Sequence, residues 1–261
     1  MRSRFALASL ALTAALFSNS ASAGPVPSGP QPVNYWLADD FVASLPQQSQ
    51  SGAFSFGTIG TSLTGSFSKF DTISSAEGQF DDGTLVGISY FSTASDSRWG
   101  IGYAAGYTIQ SNGSVATTPA FGVQMTAGYA GEYAVTRFTA QFAGSYSVDF
   151  GFAGFDAVAP TASSVYVLSG GSTLYSGSIT GFNDLLSSHL NVSLLAGQSL
   201  EFVVGGAPSA SSDLFINTTG LNLSISGVPA PVPEPATYAM FGAGLLALGA
   251  VARRRRDGSA V

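Results

Sequence analysis

Between residues 34 and 228 apolar and polar side chains alternate, and that period of two confines the chain to β-structure. In the run Ser145–Phe152, Tyr146, Val148, Phe150 and Phe152 fall on one side and Ser145, Ser147, Asp149 and Gly151 on the other. Tyr133–Thr139, Ser164–Leu168, Leu200–Val204 and Leu221–Ile225 behave alike, as does the shorter Phe54–Phe56. Successive side chains of a strand point to opposite faces, so strict alternation predicts strands with one buried face. Gly, Ser, Asn and Asp gather between these runs at intervals of about 8–12 residues, the spacing of an antiparallel sandwich. Gly170-Gly171 reads as a two-residue hairpin turn and Ala196-Gly197-Gln198 as a second tight turn. Asn183 to Leu190 is the one stretch that reads as a short helix, with a loop as the alternative. No period of about 20–50 residues recurs, which disfavours a solenoid or propeller.

Composition narrows the function classes. Cysteine is absent, so disulfide scaffolds and thiolate-based zinc or iron–sulfur chemistry are excluded. Aromatic residues make up 12% and charged residues only 9%, the reverse of a disordered chain. The formal net charge of −6 would repel a phosphate backbone, so nucleic acid is not an expected partner.

Both ends read as addresses. Arg2 and Arg4 precede an uncharged, mostly apolar run from Phe5 to Phe17, and Ala21-Ser22-Ala23 supplies small residues for cleavage. Residues 1–23 therefore read as a signal peptide, with the mature chain beginning at Gly24. At the other end, Ala236 to Ala252 carry no charge. As a helix this run would be about 26 Å long, at the short end of a bilayer span. Arg253, Arg254, Arg255 and Arg256 follow at once, a cluster that stays cytoplasmic. Prolines mark the joints: Pro25, Pro27, Pro30 and Pro32 in a spacer over 24–33, and Pro229, Pro231, Pro233 and Pro235 in a linker over 229–235. The expected plan is a signal peptide (1–23), spacer (24–33), β-sandwich (34–228), linker (229–235), transmembrane helix (236–252) and basic cytoplasmic tail (253–261). Removing both ends leaves three cations, Lys69, Arg98 and Arg137, against fourteen acids, a formal charge of −11.

Val232-Pro233-Glu234-Pro235, an apolar helix and a terminal Arg cluster, in that order, resemble the PEP-CTERM sorting signal. The resemblance implies a Gram-negative bacterium that makes exopolysaccharide or biofilm. It implies an exosortase-type partner that recognises the tail and removes it after transient anchoring in the inner membrane, and a destination at the cell surface or in the extracellular matrix. The same kind of tail also carries the name ice-binding protein C-terminal motif. Arg137–Val148, Val165–Leu168 and Leu195–Phe202 together resemble the jelly-roll sandwich of secreted carbohydrate-binding modules and of many PEP-CTERM proteins. Relatives of that kind often carry a His-Pro-Gly step; here Thr126-Ala127-Gly128 stands in its place. The expected fold is thus all-β, an antiparallel jelly-roll-like sandwich between a signal peptide and a single C-terminal transmembrane sorting helix.

Within the body, candidate chemistry is sparse. His189 is the only histidine, with Ser187, Ser188 and Asp184 near it in sequence and no Gly-x-Ser-x-Gly elbow anywhere. Glycoside hydrolysis needs two carboxylates at a defined separation, and spacing alone selects no pair among the acids. The adjacent acids Asp39 and Asp40, and Asp81 and Asp82, read as loop pairs that would supply oxygen ligands to calcium, the one cofactor considered. Sugar rings stack on exposed aromatics, and Arg98, Trp99 and Tyr103 in a glycine-rich segment form the candidate ligand face. The expected function is non-enzymatic: an exported structural or adhesive sandwich that binds exopolysaccharide. A secreted glycan-acting enzyme using paired carboxylates and an ice-binding protein are the alternatives.

Overall fold

The computed structural model describes residues 31–45, 52–104, 106–119, 121–158, 162–206, 217–231 and 240–248. In chain order these form β1 (Val33–Trp36), α1 (Leu37–Ser44), β2 (Phe54–Thr58), β3 (Ser68–Lys69), β4 (Thr72–Gln79), β5 (Leu85–Thr93), β6 (Asp96–Tyr103), β7 (Tyr107–Ile109) and β8 (Val115–Thr117). The second half supplies β9 (Val123–Thr126), β10 (Ala134–Thr139), β11 (Gly144–Gly154), β12 (Ser163–Ser169), β13 (Ser172–Ile179), β14 (Leu185–Leu194), β15 (Ser199–Gly206) and β16 (Thr219–Pro229).

An eight-stranded sheet runs β14-β11-β16-β9-β6-β5-β4, with β1 also paired to β16; a six-stranded sheet runs β13-β12-β15-β10-β2-β3. All strand pairs in both sheets are antiparallel. Numbered from β9 to β16 as one to eight, the strands lie in the order 1-8-3-6 in one sheet and 2-7-4-5 in the other. That is the double Greek key of a jelly roll, as expected. The first half widens this frame: β4, β5 and β6 extend one sheet beyond β9, and β2 and β3 extend the other beyond β10.

The core fills the space between the sheets. Tyr146, Val148, Phe150 and Phe152 of β11 all face it, the side that alternation selected. They meet Leu200, Phe202 and Val204 of β15 and Val165 and Val167 of β12. The Phe150 and Phe202 rings sit edge-on at 5.7 Å, a geometry favoured by the ring quadrupoles. Tyr146 is buried to its hydroxyl, which donates to the Phe142 carbonyl at 2.7 Å. Its polar atom is therefore satisfied.

Two local readings are corrected. Asn183 to Leu190 is not a helix: Leu185–Leu194 is one strand, paired with β11 from Leu185↔Ala153 to Leu194↔Gly144. The Leu-Leu-Ser-Ser-His-Leu segment suits either period when read alone, and ten consecutive cross-strand partners settle it as strand. Conversely, Leu37–Ser44 forms a helix that alternation does not suggest. Leu37, Phe41 and Ser44 are its buried residues, spaced four and three apart as one helical face requires. The Phe41 ring packs edge-on against Phe56 of β2 at 4.8 Å and Phe91 of β5 at 5.5 Å, and so bridges the two sheets.

The Gly170-Gly171 turn joins β12 to β13 as read, with φ of +55° and +81°. Both angles lie where an L side chain is strained, as a type I′ hairpin turn demands. Gly171→Ala is expected to cost about 1–2 kcal/mol, seen as a lower thermal midpoint with an unchanged far-UV spectrum. The Ala196-Gly197-Gln198 turn also forms, Gln198 donating its N–H to the Leu195 carbonyl at 3.0 Å.

Residues 240–248 are helical, with Met240, Phe241, Leu245, Leu246 and Leu248 exposed. Among the described residues no helix is long and apolar enough to cross a membrane. Ala21, Ala23 and Gly24 of the expected signal-peptide cleavage site, and Val232, Pro233, Glu234, Pro235 and Arg253 to Arg256 of the tail, lie outside the described residues.

Candidate functional site: the outer face of the eight-stranded sheet

β16 pairs with β11 along its whole length on one side; on the other it pairs end to end with β1 and β9. The register then lays a row of side chains across four strands. Trp36 of β1 lies opposite Ser224 of β16, Ser224 opposite Asp149 of β11, and Asp149 opposite His189 of β14. The next row is Asn222, Gly151 and Ser187. Because Val148 and Phe150 point inward, Asp149 and Gly151 point outward, and the same parity holds on each neighbouring strand. At about 4.8 Å per strand, the row from Trp36 to His189 spans roughly 14 Å.

These rows floor an open depression of about 590 Å³. Trp36 bounds it on one side, with 58% of its surface exposed, and Leu185 is exposed on another. Phe121 closes a third side, held edge-on to buried Phe155 at 5.5 Å. Gly151 carries no side chain, which leaves the middle of the floor low. Apolar rings at the rim and hydroxyl, amide and carboxylate groups on the floor form an amphipathic trough.

One polar relay is already built. His189 Nδ1 lies 2.8 Å from Asp149 Oδ1, and Asn191 Nδ2 lies 3.0 Å from His189 Nε2. With the Asn191 amide donating to Nε2, the imidazole donates its Nδ1–H to Asp149. Asp149 keeps its second oxygen for a donor in the trough. His189 therefore pairs with Asp149, forty residues away, and not with Asp184, which accepts from the Thr180 N–H at 2.8 Å. Those Thr180 bonds hold the Asp184 carboxyl below its ordinary range. A Ser-His-Asp device needs a nucleophile hydroxyl at Nε2, and here that nitrogen is met by an amide. Among the described residues Asp149 is also the only acid lining the trough, where glycoside hydrolysis calls for two.

The other expected site residues fall elsewhere. Trp99 is only 5% exposed and packs edge-on against Phe70 at 5.3 Å within the core. Tyr103, two residues past buried Ile101, packs against the same core. Alternation along β6 turns Trp99, Ile101 and Tyr103 inward together, so Trp99, expected on a ligand face, is instead a core residue with no ring face left for stacking, while Tyr103 is half-buried against the core. The side chain of Arg98 lies outside the described residues.

The acid pairs are also dispersed. Asp39 and Asp40 sit in the first turn of α1 rather than a loop, where carboxylates complement the helix dipole. Burial pushes the Asp40 carboxyl above its ordinary range, against an opposing pull from the backbone N–H groups of Ala53 and Phe54. Asp81 and Asp82 do occupy a turn, between β4 and β5, and Asp82 accepts the Thr84 N–H at 2.9 Å. That bond holds its carboxyl below the ordinary range. Among the described residues no three His, Asp or Glu side chains converge as a metal site would require.

Trp36, Asp149 and His189 are the residues that the sequence reading did not assemble. The available signal was Tyr35-Trp36: of two adjacent aromatics on a strand, only one can face the core.

The PEP-CTERM protein-sorting motif matches residues 231–256. No curated protein matches the chain. Among solved structures, the fold is similar to TmCBM61 in complex with β-1,4-galactotriose: 13% identity, 60% of this chain and 88% of that one, TM-score 0.31. It is similar to CBM51 from Clostridium perfringens GH95 in complex with methyl-galactose: 12% identity, 60% and 94%, TM-score 0.29. It is also similar to the CBM36-1 domain of a multidomain xylanase from the hindgut metagenome of Trinervitermes trinervoides: 16% identity, 44% and 82%, TM-score 0.28. The mostly β body is thus followed directly by a PEP-CTERM protein-sorting motif, a signal that implies export.

Proposed function

We propose that the body is a non-catalytic polysaccharide-binding sandwich whose ligand lies in the outer trough of the eight-stranded sheet. The observation that carries this reading is the exposed Trp36 ring set in one row with Ser224, Asp149 and His189. A pyranose presents C–H groups on its faces and hydroxyls around its edge. The indole would stack against a face, and the hydroxyls would bond to Asp149, Asn222 and the serines. A single acid among the described residues of the trough argues against hydrolysis. Ice binding is disfavoured because it calls for a flat, regular threonine array, whereas this face is hollow and carries a carboxylate and an imidazole.

The ends complete the proposal. Residues 1–23 would direct export and be removed. Residues 236–252 would hold the chain briefly in the inner membrane until an exosortase-type enzyme removes the tail, delivering the body to the cell surface or extracellular matrix. Replacing Pro233, Glu234 and Pro235 with alanine is expected to leave the full-length chain in the membrane fraction, detected as a larger band on immunoblot. Normal processing of that variant would contradict the assignment.

The trough is tested by applying the purified full chain to an array of neutral and acidic glycans. Saturable binding to a defined group of oligosaccharides is expected. Silence across the array would remove the reading and leave a passive surface scaffold.

A further inference from the structure

The outer face of the six-stranded sheet, on the opposite side of the core, holds a second depression of about 440 Å³. β2 and β10 form its floor, with Ser55 opposite Arg137 and Gly57 opposite Lys69 of β3. Thr139 and Gln141 add a hydroxyl and an amide to its lining. The mature body has only three cations, and Lys69 and Arg137 stand together in this one cleft.

Arg137 is fixed in place. Its guanidinium carbon lies 3.7 Å from the centre of the Phe67 ring. Its Nε donates to Glu201 Oε1 at 3.0 Å, and Nη2 donates to the same oxygen. One face of the guanidinium is thus covered by the ring and one edge by the carboxylate directly across the sheet. Nη1 makes no hydrogen bond among the described residues, so its two N–H donors remain for a ligand. A pre-oriented guanidinium loses little entropy when it captures an oxyanion. Lys69, exposed on β3 on the far side of β2, adds a second positive charge to the same cleft. Asp40, beside Gly52 at one end of the cleft, is bonded to the backbone N–H groups of Ala53 and Phe54. Its charge would turn a ligand's anionic group away from that end and toward Lys69 and Arg137.

We propose that this cleft is a second glycan site, selective for sugars that carry a carboxylate, with Lys69 and Arg137 as the clamp. This rests on the reading of the body as a polysaccharide binder, and it names a different ligand class on a different face. Arg and Lys recognise carboxylates by charge-assisted hydrogen bonds, and Thr139 and Gln141 would bond the ring hydroxyls. The Phe67 ring already stacks on Arg137, so recognition here is ionic, unlike the stacking at Trp36. With sites on opposite sheets, one body would tie an acidic polysaccharide chain to a second chain held in the trough.

The test is calorimetric titration of the full chain, in detergent, with hexameric oligogalacturonate and with its methyl ester. The free acid is expected to bind saturably, more weakly as salt rises, and the uncharged ester is expected not to bind. Lys69→Met should weaken free-acid binding about tenfold with no change in thermal midpoint, because the side chain is exposed. Trp36→Ala should leave free-acid binding intact. No binding of the free acid, equal binding of the ester, or an unaffected Lys69→Met variant would each overturn the second site. Loss of free-acid binding in Trp36→Ala would also overturn it, placing the uronate in the trough. The two readings fail separately: a glycan array on which only uronates bind, unaffected by Trp36→Ala, removes the trough and leaves the cleft standing.

Discussion

Phe202→Ala is expected to destabilise the body by about 3–5 kcal/mol. Phe202 has no exposed surface and sits on β15, flanked by β10 and β12. Its ring reaches across the core to Phe150. Truncation removes buried apolar area and leaves a cavity that paired strands on both sides cannot close. In a body of this size each kcal/mol moves the thermal midpoint by about 2–4 °C, so a fall of roughly 6–20 °C follows. Leu85→Ala, at a position 72% exposed, is the matched control and should stay within about 0.5 kcal/mol. Equal effects from the two variants would mean that the sheets do not enclose the core described.

Trp36→Ala is expected to weaken glycan binding about 30-fold, the size of a lost aromatic hot spot. More than half of the Trp36 surface is exposed, so the thermal midpoint should move little. The combination distinguishes a binding residue from a structural one. A large fall in stability with unchanged affinity would make Trp36 a packing residue and move the ligand elsewhere.

The inward face of β11 was legible because Tyr146, Val148, Phe150 and Phe152 alternate with polar residues over a full strand. The two tight turns were legible because glycine marks them. The jelly-roll order followed from a resemblance in the second half, which is where its eight strands lie. β14 was misread because Leu185, Leu186 and Leu190 suit a helical stripe as well as a strand, and only pairing with β11 decides between them. α1 was hidden because it is short and its first turn carries two acids that read as a loop.

The trough was illegible for a related reason. Alternation reveals that Trp99 and Tyr103 share a face, and that Tyr35 and Trp36 do not. It leaves open which face is inside. That choice is made by neighbouring strands, which bury Trp99 beside Phe70 and leave Trp36 at the edge of the β16 surface. The pairing of Asp149 with His189 depends on register across forty residues, a quantity that no local pattern carries.

The two tryptophans also let fluorescence report where the ligand sits. Trp99 lies in the core and Trp36 at the rim of the trough, so Trp99→Phe leaves a single indole that reports on the site. Indole emission moves to shorter wavelength when water leaves the ring. Titrating Trp99→Phe with a neutral oligosaccharide selected on the array should give a saturable blue shift whose midpoint matches the calorimetric affinity. Trp36→Phe, which keeps only the buried indole, should show none. Emission from Trp99→Phe that stays unchanged while calorimetry records binding would contradict the placement of the ligand on this face.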